Sequence, residues 1–146
     1  MKRARFRYLP HTADIAFAAY GGSFKELLEN SALATIGLMF DLKKVRDSKA
    51  EAKTLRITER APNMDDALWF TLQKIVSKVD EKGVDAFGFK VNRVSIGRRG
   101  IIVHGCVFYK RVSEYSALLD IKAVTPHSLE VKKKGRRYLA RVVVDV

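Results

Sequence analysis

From Phe87 onward the chain is written almost wholly in strand pattern, and this constrains the fold more than any other feature. Phe87, Phe89 and Val91 alternate, and Val94 and Ile96 resume the alternation out of step, as a β-bulge would make them. Gly97-Arg98-Arg99-Gly100 is a turn signal with two exposed cations, and Ile101 to Arg111 is a long apolar strand. Ser113 to Leu119 fits either a short helix or a bent connection through Tyr115, Leu118 and Leu119. Asp120 to Thr125 alternates again and ends at Pro126. Leu129 and Val131 lead into Lys132-Lys133-Lys134-Gly135-Arg136-Arg137, a basic hairpin turn, and Tyr138, Ala140, Val142 and Val144 form a last strand. Strands this close in sequence pair through hairpins, so antiparallel sheet is predicted.

The first half supplies the helices. Arg5 to Leu9 reads as a short strand stopped by Pro10, and Ile15 to Tyr20 is apolar on both faces, as in a strand covered on both sides. After the Gly21-Gly22 turn, Ser23 and Glu26 match a capping box. Phe24, Leu27, Leu28, Ser31, Ala32, Thr35, Leu38 and Met39 then recur at helical spacing. Lys43 to Lys53 is polar and predicts a loop; Lys53 to Glu59 alternates as a strand with Leu55 and Ile57 inward. Pro62 breaks that strand, Asn63 caps a second helix with Asp65 and Asp66 in its first turn, and Gly83 ends it. Its apolar stripe is Leu68, Leu72, Ile75, Val76 and Val79, with Trp69 alongside. The prediction is one α+β domain over residues 1–146, two main helices packed on a mostly antiparallel sheet of about seven or eight strands.

Composition narrows the function. A hydrophobic share of 47% supports a real core, yet no run is long enough to span a bilayer, and no apolar signal core follows the basic Met1-Lys2-Arg3-Ala4-Arg5 start. A cytoplasmic protein is expected. The single cysteine, Cys106, excludes an internal disulfide and reads as a buried, inert thiol. The formal charge of +12 points to polyanionic partners, with nucleic acid, or a protein bound to it, as the natural class. Lys132 to Lys134 with Arg136 and Arg137 either steer docking to an RNA-loaded partner or merely solubilise a hairpin. There is no P-loop, no GxSxG elbow and no paired-cysteine motif. The spacing of His11, His104, His127 and Cys106 fits no strong zinc pattern.

Two carboxylates stand out against the strand pattern. Asp14 opens the Ile15 strand and Asp145 closes the last one, although strands deplete Asp. Together with the terminal carboxylate of Val146 they make an oxygen-only donor set of the kind calcium and magnesium take. The alternative is local: Asp14 caps a turn through its own backbone and Asp145 lies in solvent.

His11-Thr12-Ala13-Asp14-Ile15, followed by Tyr20-Gly21 and a helix, resembles the N-terminal signature of the archeases. Asp120-Ile121-Lys122-Ala123-Val124-Thr125-Pro126-His127 resembles that family's second motif, with Pro126 where an aromatic is common, and Val142-Val143-Val144-Asp145-Val146 its characteristic end. The resemblance spans the chain. It implies the archease fold and an accessory protein, not an enzyme. Such a protein activates the tRNA-splicing RNA ligase, promoting its guanylylation by GTP and its multiple turnover in joining tRNA exons. It also implies a divalent metal, calcium with magnesium or manganese as alternatives, on Asp14, Asp145 and Val146. His11, Asp120, Lys122 and His127 would form the functional surface. Other expectations are a chaperone-like role toward a tRNA cytosine methyltransferase and a stand-alone RNA-binding protein. A metal-dependent hydrolase built on Asp14 and Asp145 lacks an evident base or nucleophile beside them.

Overall fold

Local signals set most element boundaries. The computed structural model describes residues 4–10, 13–112 and 115–146. In chain order the elements are β1 (Phe6–Leu9), β2 (Ile15–Gly21), α1 (Phe24–Met39), α2 (Leu42–Asp47), β3 (Lys53–Ala61), α3 (Met64–Lys82), β4 (Asp85–Gly97), β5 (Gly100–Lys110), β6 (Ala123–Lys134) and β7 (Arg137–Asp145).

The two long helices begin alike. At α1 the Ser23 Oγ accepts from Glu26 N at 3.1 Å, and Glu26 reaches back to Gly22 N at 3.3 Å. At α3 the Asn63 side chain accepts from Asp66 N at 2.8 Å. Each cap satisfies one of the donors that a helix start leaves without a partner. Gly83 closes α3 in the left-handed region, φ 65°. Gly21 permits α1 to turn back tightly over β2, because a Cβ there would stand 2.5 Å from Leu27 N.

The strands are antiparallel and form two sheets, ordered β1-β2-β7-β6 and β3-β5-β4. The division into two sheets is not visible in the strand pattern. The helix pair joins them: α1 packs on β2 and β4, and α3 on β3 and β6. Leu27, Leu28 and Ile36 of α1 and Leu68, Leu72 and Ile75 of α3 are fully buried between the sheets. Each such side chain contributes about 1.5–3 kcal/mol by leaving water. β2 is buried on both faces, as its sequence predicts.

Side chains from the helices close sheet edges. β6 is the edge of the larger sheet, and α3 covers it. Trp69 Nε1 donates to Val124 O at 2.8 Å, Gln73 Oε1 accepts from Val124 N at 2.8 Å, and Asp65 Oδ1 accepts from Val131 N at 2.8 Å. α1 does the same for β4, where Glu29 Oε2 accepts from Val91 N at 3.0 Å. Open edge groups would otherwise be templates for another strand.

Three expectations are corrected. The polar stretch after Lys43 contains α2: Asp41 caps it at Lys44 N, Val45 is fully buried, and Lys43 pairs with Asp47 one turn on. Lys110, nearly buried, holds the end of this segment by donating to the carbonyls of Arg46 and Ser48 at 2.9 and 2.8 Å. Next, the alternating strand does not begin at Asp120 or end at Pro126; β6 starts at Ala123 and runs through the proline. Between Thr125 and Glu130 the register shifts, so that Pro126, His127, Ser128 and Leu129 face Val142 alone. The ladder that Pro126 cannot join is interrupted there. Finally, Cys106 is half-buried on the outer face of β5, not in the core. Of the ambiguous Ser113 to Leu119, Ser113 and Glu114 lie outside the described residues; the rest is a bent connection bridged at Phe40 and Ala117.

The α3 cover of β6 is open to measurement. Gln73→Leu leaves the Val124 N–H without its acceptor and costs about 1–3 kcal/mol in urea unfolding. Trp69→Phe, which strands the Val124 carbonyl, costs a similar amount. Losses below about 0.5 kcal/mol in both, the range of ordinary surface changes, would remove this contact from the account of the fold.

Candidate functional site

The candidate site is built on the strand pair β2 and β7. Their ladder runs from Gly21 opposite Tyr138 to Ile15 opposite Val144. Asp14, in the bend just before β2, and Asp145, the last residue of β7, therefore flank the same final rung. Asp145 is also opposite Ala123 of β6, and its carbonyl accepts from Lys122 N at 2.8 Å. That bond engages the Asp145 backbone, while its side chain and Val146 are exposed; Asp14 is half-buried.

The second motif enters the same end. Ile121 is buried and anchors the approach to β6, while Asp120 and Lys122 on either side are exposed. His127 is also exposed, in the irregular part of β6, several residues along the strand from Asp145's partner Ala123. Asp14, Lys122, Asp145 and Val146 are thus brought to one end, and His127 is set back from it. His11 lies outside the described residues, and so does any cleft it would share with His127.

The donors at this end are carboxylate oxygens, which suit a hard cation and not zinc. Among the described residues no three His, Cys, Asp or Glu side chains gather as a metal-holding group. A cation here would depend on Asp14, Asp145 and Val146. The four-residue zinc set is not assembled: His104 and Cys106 lie on β5 of the smaller sheet, with Thr58 Oγ1 3.4 Å from His104 Nδ1, whereas His127 belongs to the larger sheet.

The structure gives a surface role to residues that the sequence marked only as part of a short helix or bent connection. The connection ahead of Lys122 leaves Tyr115, Leu118 and Leu119 exposed by 81%, 57% and 40%. They are held out by a pinned backbone. Asp85 accepts from Val112 N at 3.2 Å and from Ser116 Oγ at 2.9 Å. Asp41 N donates to Ser116 O, and Leu118 N to Met39 O, both at 2.8 Å. Exposed apolar side chains on a fixed backbone suit contact with another protein. Their signal was an apolar run with no strand alternation.

No helix among the described residues is long and apolar enough to cross a membrane. A model of the archease protein family (MTH1598/TM1083) matches residues 6–146. The protein archease of Methanosarcina acetivorans is 33% identical over 146 residues, covering 97% of this chain and 96% of that one. The protein archease of Sulfolobus acidocaldarius is 28% identical over 144 residues, covering 97% and 99%. The solution structure of Methanobacterium thermoautotrophicum protein 1598 superposes with a TM-score of 0.79 at 27% identity, over 97% of this chain and 99% of that one. The crystal structure of a Thermotoga maritima archease, described as a possible chaperone, gives 0.62 at 22% identity over 100% and 98%, a likeness of fold.

The pinned connection gives a local prediction. Asp85→Ala removes two of its ties, and amide exchange at Asp41 and Leu118 speeds up by about tenfold or more, matching a local loss of about 1–3 kcal/mol. Unchanged exchange at both amides would show that the Phe40–Ala117 bridge holds the segment unaided.

Proposed function

Because the chain belongs to the archease family, we propose that it is an accessory protein of the tRNA-splicing RNA ligase, promoting the ligase's guanylylation by GTP and its multiple turnover. The observation that carries this reading is the convergence of Asp14, Asp145, Val146 and Lys122 at one end of the β2–β7 ladder. Exposed Leu118 and Leu119 lie just upstream of Lys122. This end offers oxygen donors and a cation beside apolar side chains, as a protein partner with a charged active site requires.

When bound, a divalent cation, calcium or in its place magnesium or manganese, supplies charge neutralisation for GTP phosphates. Asp14 and Asp145 would hold it by their carboxylates, with Val146 contributing a carbonyl or carboxylate oxygen. Lys122 pairs with a carboxylate or phosphate of the partner. Asp120 and His127 border the contact, with His11 as the motif's remaining member. Leu118 and Leu119 bury apolar area against the partner. The protein performs no bond-making step in this scheme. It acts in the cytoplasm, where the ligase meets its RNA.

The description of the Thermotoga archease as a possible chaperone supports a second reading, a chaperone-like action on a tRNA cytosine methyltransferase. It uses the same exposed apolar residues but does not need the carboxylates.

The test is multiple-turnover ligation with limiting cognate ligase, GTP and excess broken tRNA. Wild-type protein stimulates turnover, and Asp14→Ala and Asp145→Ala each lose roughly tenfold or more of that stimulation. Terbium luminescence on the isolated protein falls in the same variants. Stimulation that survives both changes rejects the carboxylate mechanism. No stimulation of an active ligase rejects the activator role and favours the chaperone reading.

A further inference from the structure

The two faces of the smaller sheet differ in chemistry. One face carries Ile57, Val91, Val103 and Val107, all buried against the helix layer. The strand register fixes what stands on the other. β5 is the central strand and presents Ile102, His104, Cys106 and Phe108, each half-buried. Arg56 of β3 and Lys90 of β4 flank Cys106, Thr58 and Arg93 flank His104, and Arg60 and Ser95 flank Ile102. Arg56, Arg60, Lys90 and Arg93 are exposed. Paired positions in neighbouring strands point to the same side of a sheet, so these cations share one surface.

The bulge in β4 brings Arg93 to this side. The register passes from Val91 opposite Gly105 to Arg93 opposite His104, with Asn92 as the extra residue. Without that extra residue Asn92 would stand beside His104, and Arg93 would point at the helix layer. The bulge thus re-aims a charged side chain.

We propose that this outer face of β3, β5 and β4 binds a single RNA strand, its phosphates held by the cations and its unpaired bases stacked on the rings of β5. No Asp or Glu occurs at the paired positions of this face, although the chain has 16 of them. Arg56, Arg60, Lys90 and Arg93 make no ion pair among the described residues. β3 and β4 stand roughly 10 Å apart across β5, about one Debye length at 0.1 M salt. Their charges therefore add in the field above the sheet, and a polyanion lying there removes the mutual repulsion.

Phe108 supplies what a charge cluster alone lacks. Its partner position on β4 is Gly88, where a Cβ would stand 3.5 Å from Phe108 Cδ2, so β4 puts no side chain over that flank of the ring. Phe87 lies beside it, with ring centroids 6.1 Å apart. A partly exposed ring on a basic sheet suits base stacking. A base that stacks there must be unpaired, which selects a single strand over a duplex and over a lipid surface. That the strand is RNA rests on the ligase reading above; the charge and ring geometry does not. Binding is measured without the ligase, so failure of this face and failure of the ligase reading are separate results.

The experiment is fluorescence anisotropy of a labelled single-stranded RNA of about 15 nucleotides with the intact protein, from about 50 to 200 mM salt. Each phosphate neutralised contributes about 0.7 to the salt slope, so four contacts give roughly 3. Arg56→Ala with Lys90→Ala, and separately Arg60→Ala with Arg93→Ala, weaken binding about tenfold or more and lower the slope by about 1.4. Phe108→Leu weakens it about fivefold or more with the slope unchanged, and Phe108→Tyr, which keeps a ring, binds as wild type. Lys134→Ala with Arg136→Ala removes the same charge from the β6–β7 turn of the larger sheet and leaves affinity and slope near wild type. Equal losses in that control overturn the proposal in favour of diffuse attraction. Unchanged binding in both cation pairs, or in Phe108→Leu, also overturns it. Tighter binding to phosphatidylserine vesicles than to the strand, lost in the same variants, replaces RNA with a membrane surface.

Discussion

The hold of α3 on Val124 is the contact on which the rest of the molecule depends. Trp69 and Gln73 take both the carbonyl and the N–H of this one residue, at 2.8 Å each. Without them the Val124 end of β6 would be an open edge, and α3 would reach this strand's backbone only through Asp65 at Val131. With them, α3 ties the larger sheet to the helix layer, and the same helix packs on β3 of the smaller one. The approach to β6 is fixed in consequence, and with it Lys122, whose N–H meets the Asp145 carbonyl. A tryptophan and a glutamine on a helix surface thereby help to place a charged end that neither of them touches.

Charge is divided along the β2–β7 ladder. One end has the Asp14 and Asp145 carboxylates, and the other has the basic turns. A net charge of +12 does not by itself say where the cations lie. Such a separation orients the molecule in the field of a charged partner before contact.

What the sequence revealed was what is local. The caps at Ser23 and Asn63 and the stop at Gly83 depend on residues within one turn, so they are legible in a short window. The bulge after Val91 likewise shows as a break in alternation. Pro126 misled because its meaning depends on a neighbour: in a fully paired strand it is a stop, but opposite Val142 in an interrupted edge ladder it is accommodated. α2 was hidden because six residues are too few to show a period. Asp65 was legible as a first-turn acid and not as the acceptor for Val131 N, a contact made across 66 positions. The nearness of Asp14 to Asp145 belongs to the same class: the motif resemblance supplied it, and alternation alone did not.

The pairing of β2 with β7 also orders events in time. Ile15 meets Val144, so the larger sheet brings together residues from opposite ends of the domain. Such contacts come late, because the entropy of closing so long a loop is spent before any of them forms. During synthesis β2, apolar on both faces, would emerge from the ribosome long before its partner and wait uncovered on one edge. The smaller sheet, whose strands lie between Lys53 and Lys110, can assemble sooner. The carboxylate end is then the last part of the molecule to exist, and an incompletely synthesised chain would lack it altogether.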